Sequence, residues 1–132
     1  MCGESRDCGS AIVEYVLVLT LLVFIAIGII QTALVLHARN VLVADAAEGA
    51  RTAAARGAVL NDGEQVCADL VRHSLPGATA AAARPCVAGV LAADDGSPEL
   101  VRMTADATLA LSLVPGGRIH LRAVGRAVRE PR

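Results

Sequence analysis

The chain has 132 residues, 12 basic and 13 acidic side chains, a formal net charge of −1, 55% apolar residues and 2% aromatics. That length allows one small domain with an appendage. The near-neutral balance without any lysine argues against a nucleic-acid surface, which needs a clustered positive field, and with only Tyr15 and Phe24 as aromatics there is no stacking platform for bases or sugars.

The apolar excess sits near the N-terminus. After the short polar stretch MCGESRDCGS comes AIVE, and then Tyr15 to Leu36, 22 residues without a charge, broken only by Thr20, Gly28, Gln31 and Thr32. As a helix this run covers about 33 Å, enough to cross a bilayer. A core helix apolar on every side would need a larger protein around it than the rest of this chain can build. A secretory signal is a poorer fit: the run exceeds an ordinary signal core, Arg6 is the only basic side chain before it, and no small-x-small cleavage site follows. Counting arginines, with Arg39, Arg51 and Arg56 after the span against Arg6 before it, weakly favours a cytoplasmic C-terminal part. Glu14 stands at the edge of this run, where a carboxylate is expensive unless it finds a partner.

The string Gly9-Ser10-Ala11-Ile12-Val13-Glu14-Tyr15 ahead of a long apolar helix resembles the processing site of type IV pilin-like proteins. With His37-Ala38-Arg39-Asn40 and Ala46-Ala47-Glu48-Gly49-Ala50-Arg51-Thr52-Ala53-Ala54 beyond the span, residues 8 to about 57 resemble the TadE-like family of the tight-adherence, or Flp pilus, system. The resemblance implies a leader over 1–9 removed after Gly9 by a prepilin peptidase. It leaves Ser10 as the mature N-terminus, with Glu14 and Tyr15 in the family's processing and assembly roles. It implies as partners the membrane, other pilin-like subunits and assembly-platform proteins, and a pilin-like architecture. The physical logic fits: Gly9 can take an extended conformation in a protease, and the new ammonium of Ser10 and a neighbouring subunit's Glu14 are tolerable at the membrane edge only together.

The division expected is a transmembrane helix over 10–36, a helix extension over 37–58, and a small extracytoplasmic α+β domain over 59–132. In the extension, Asp45, Glu48 and Arg51 are expected to form a wet face and Leu42, Ala46, Gly49, Ala50 and Ala53 a narrow small face, packing on its own domain or on a neighbour's helix, with Gly57 as C-cap. Asn61-Asp62-Gly63-Glu64 can cap a second helix through about Leu75, with Val66, Leu70 and Val71 as its apolar side and Pro76-Gly77 ending it. Ala78 to Ala83 reads as a loop.

From Cys86 the period becomes two. Val87 to Ala92 reads as a strand, followed by the turn Asp94-Asp95-Gly96-Ser97-Pro98. Val101 to Leu113 and Ile119 to Ala127 alternate apolar and polar residues. Pro115-Gly116-Gly117 as a three-residue hairpin loop pairs Val114 with Arg118 and Asp106 with Arg126, completing a three-stranded antiparallel sheet.

Cys67 on the second helix and Cys86 at the first strand are placed for a disulfide, which needs an oxidising compartment and therefore favours an outside domain against the arginine count. Two separate buried thiols remain an alternative, and a metal site from Cys67, His73 and Cys86 lacks the usual ligand spacing. No nucleophile motif, phosphate loop or zinc helix is present, and no enzyme activity, cofactor, metal or small-molecule substrate is expected. Two other readings compete with a pilin-like subunit: an uncleaved single-pass anchor for an extracytoplasmic binding domain, and a secreted protein with a cleaved signal.

Overall fold

The computed structural model describes residues 7–75, 85–91, 98–110 and 117–129, with side chains from residue 11 onward. Elements follow in the order α1 (Asp7–Ala54), α2 (Leu60–Ser74), β1 (Cys86–Leu91), β2 (Leu100–Ala110) and β3 (Arg118–Val128), an α+β arrangement. The chain falls into two compact units, residues 1–34 and 35–132, with the boundary inside α1. The expected turn around Asp94, the loop over 78–83 and the Pro115-Gly116 tip lie outside the described residues.

In the first unit α1 is apolar all round. Side chains from Ile12 through Phe24 stand open, Leu17 at 66% and Phe24 at 58% exposure. The helix from Ala11 on reaches a mean hydropathy of 2.7 in a window none of which is buried within the protein. Leaving that many large apolar side chains in water would cost on the order of tens of kcal/mol; lipid removes the cost. The hydroxyls of Thr20 and Thr32 donate to the carbonyls of Val16 (2.8 Å) and Gly28 (2.9 Å), satisfying them inside the helix, as hydrocarbon requires.

In the second unit the remainder of α1 turns its small residues onto α2 and the sheet. Leu42, Ala46, Ala50 and Ala53 are fully buried with Cys67 and Val71 of α2 and Val101, Met103 and Ala105 of β2. The small face of the extension therefore packs on its own domain. The two helices meet at glycines: a methyl group on Gly49 would lie 2.6 Å from Cys67 Cβ, and one on Gly63 would run into the backbone of Gly49. β3 approaches α1 as closely, since a methyl group on Gly125 would overlap the backbone of Ala46 and Ala47. After Ala54 the chain reverses through Gly57, at φ +80, a conformation suited to glycine.

Three details depart from the sequence reading. Asp45 is not on the wet face with Glu48 and Arg51: it is only 8% exposed and accepts a 2.6 Å hydrogen bond from Ser74 Oγ at the end of α2. Steps of three residues drift by about 60° per step around a helix of 3.6 residues per turn, which carries Asp45 over to the Leu42–Gly49 side. In α2 the buried stripe is Gly63, Cys67 and Val71, with Val66 and Leu70 on its flank. That helix starts one residue before Asn61, after Val59, whose amide donates to Asp62 Oδ2 at 3.2 Å.

The sheet has the order β1-β2-β3, antiparallel throughout. Asp106 lies opposite Arg122, not Arg126, and pairing begins at Ala110 and Arg118. Arg118 thus pairs with Ala110 in place of the expected Val114, which corrects the flanking pair of the expected Pro115-Gly116-Gly117 loop. A shift of four residues keeps every apolar side chain on the same face, so alternation does not distinguish the two registers. The register found sets Gly125 opposite Met103, a space opposite a large side chain, and Thr108 opposite His120, whose Nδ1 is 3.0 Å from the Thr108 hydroxyl.

Candidate functional site

The residues singled out for processing lie at the start of α1. The backbone is helical from Asp7, so Gly9 and Ser10 lie in its first turns, five and four residues ahead of Glu14. Glu14 and Tyr15 are exposed, Tyr15 at 67%. Among the described residues neither makes a side-chain hydrogen bond or ion pair within the chain. A helix places Glu14 one turn beyond Ser10 and side chains lean toward the helix N-terminus. The carboxylate thus belongs at the entry of the apolar segment, where a positive charge would be needed to hold it.

Cys67 and Cys86 come together in the second unit. Both are buried, their sulfurs lie at disulfide distance, and their Cα atoms are 6.1 Å apart across 19 residues of sequence. Closing a loop of that size contributes about 3 kcal/mol. Beside it, Glu64 Oε1 accepts the amide of Ala88 at 2.7 Å, fastening α2 to the outward edge of β1. His73 is not part of this pair; its Nδ1 faces the carbonyl of Asp69 at 3.0 Å. Among the described residues no group of three His, Cys, Asp or Glu side chains converges as metal ligands would. The groove beside the pair, lined by Glu64, Asp69, Arg72 and Pro85, is open and polar, unlike the enclosed apolar pockets that hold small molecules.

Sequence reasoning missed Gly63 and Gly125 as packing positions. The available signal was an isolated glycine inside a helical or alternating pattern, which marks a close approach of backbone.

A long apolar α1 carried by a chain with a compact α+β unit defines the class: a protein with, among the described residues, one helix long and apolar enough for membrane anchoring. Residues 9–51 match the family model described as TadE-like protein. The match starts at Gly9 and takes in Glu14, the apolar segment and the small face of α1 as far as Ala50; Ala53, α2 and the sheet lie beyond it. No curated protein and no solved structure matches the chain.

Proposed function

We propose that this chain is a minor pseudopilin or pilus-assembly component of a bacterial tight-adherence (Flp-type) secretion system. In this reading it is anchored in the cell membrane by residues 10–36, with its N-terminus cytoplasmic and the α+β unit outside. The observation that carries the proposal is the exposed Glu14, without an ion pair among the described residues, at the head of an apolar helix, inside the TadE-like segment and five residues from Gly9. A prepilin peptidase hydrolyses the Gly9–Ser10 bond, water supplying the carboxylate of Gly9 and the amine of Ser10. Gly9 is a weak helix former, which lets this turn open for a protease. The new ammonium sits at the positive end of the helix dipole and is unfavourable there by itself. Glu14 of a neighbouring subunit neutralises it, so helix-to-helix association depends on both the cut and the carboxylate.

The outward orientation rests on Cys67 and Cys86, which as a disulfide need an oxidising compartment. N-terminal sequencing of the membrane-extracted protein tests the proposal. A chain beginning at Ser10 is expected, together with loss of subunit crosslinking in Glu14→Ala at unchanged membrane content. An intact Met1 would instead make the protein an uncleaved anchor for an extracytoplasmic domain, and a start beyond Leu36 in the medium would make it a secreted one.

A further inference from the structure

The two edges of the sheet differ. The hydrogen bond from Asp106 N–H to the Pro85 carbonyl (2.8 Å) sets the phase of β1, so that the Ala88 amide points outward, where Glu64 occupies it at 2.7 Å. At the other edge, Arg129 N–H donates to the Glu99 carbonyl (2.8 Å), which sets the even-numbered amides of β3 pointing away from β2. Among the described residues nothing occupies them. β3 has 11 residues in unbroken register, so this edge is long and regular.

Charge marks the same edge. Arg118, Arg122 and Arg126 stand exposed on the outer face of β3, and Arg126 lies directly opposite Arg102 of β2. Like charges in that position destabilise a sheet unless an anion joins them. Asp106 reaches Arg122 at 3.5 Å, while Arg118, Arg126 and Arg102 have no ion-pair partner among the described residues. An open groove of about 340 Å³ lies at the end of this edge between Arg51 and Ala54 of α1, Ala55 just beyond it, and Arg126, Ala127 and Val128 of β3.

We propose that the β3 edge accepts a further strand from a partner protein, an extended segment with carboxylates at alternate positions. Main-chain hydrogen bonds extend the sheet, the carboxylates meet Arg118, Arg122 and Arg126 on the outer face, and the alternate side chains lie toward the groove. A second copy of β3 is disfavoured, because β3 carries no carboxylate and pairing two such edges brings two rows of arginines together as opposite or diagonal neighbours. The acidic strand is what this edge favours.

The test uses the full chain in detergent micelles and a fluorescent peptide the length of β3 that alternates glutamate with threonine. One control peptide has the same composition with all glutamates in one block, and another is N-methylated at every second amide. Saturable binding of the alternating peptide is expected, about tenfold tighter than either control and weakened by salt. Joint Arg118→Glu and Arg126→Glu substitution is expected to lower it about tenfold, and Val124→Pro, which removes one outward amide without touching the β2 ladder, is expected to weaken it with the charges intact. Equal binding of all three peptides, no saturable binding of the alternating one, or a chain dimer that Val124→Pro dissociates would each overturn the proposal. The peptide comparison uses the unaltered protein, so it stands even if a variant misfolds, and it does not depend on cleavage at Gly9.

Discussion

The two stretches of α1 share one helix and differ in everything that decides what surrounds them. From residue 15 to 26 the side chains are mostly large, apolar and exposed on all sides, and the hydroxyls of Thr20 and, further on, Thr32 fold back on the helix's own carbonyls. From residue 38 to 54 the buried residues are mostly alanine with Leu42 and Gly49, while Glu48 and Arg51 pair at 3.4 Å on the exposed side. The first stretch is built for lipid, where bulk in every direction is favourable and approach distance is free. The second is built for contact, where a small face lets α2 and β3 come to glycine distance.

Substitutions that treat both stretches alike should separate them. Leu42→Asp places an unpaired charge in a fully buried position and should abolish folding of the second unit, a loss of more than about 4 kcal/mol, read as complete protease sensitivity while the chain stays in the membrane fraction. Leu22→Asp should do the reverse. It opposes insertion by about 3 kcal/mol, read as loss from the membrane fraction, with the second unit's protease resistance unchanged.

Within the second unit, joint Cys67→Ser and Cys86→Ser substitution should lower stability by about 3 kcal/mol in urea. The core contains no aromatic and its largest fully buried side chains are Leu42, Met103 and Val71, so little else can make up that loss. Gly125→Ala should cost about 2 kcal/mol through overlap with α1, whereas Gly28→Ala, with open space around it, should leave urea stability unchanged. Asp45→Ala should have the smallest effect, about 1 kcal/mol, through loss of the bond from Ser74.

The long helix, the second helix, three strands and the meeting of Cys67 with Cys86 were legible because each follows from period, length or punctuation. Register was not, because Arg122 and Arg126 are four residues apart and either satisfies Asp106 from the same face. The buried stripe of α2 was misplaced toward Val66 and Leu70 because its centre is Gly63, a residue without a side chain to count. Asp45 was read by its charge, while its place around the helix put it inside. The TadE-like match was legible through Gly9, Glu14 and Tyr15 as a string. The basic β3 edge was not, since net charge near zero hides arginines gathered on one strand.

In the proposed orientation α1 leaves the membrane on the oxidising side. Protease added to intact spheroplasts, followed by maleimide labelling of Cys67 and Cys86 before and after reduction, tests that directly. The expected result is digestion of the second unit from outside, with both thiols blocked until reduction. A second unit protected until the membrane is permeabilised, with both thiols free, would contradict it.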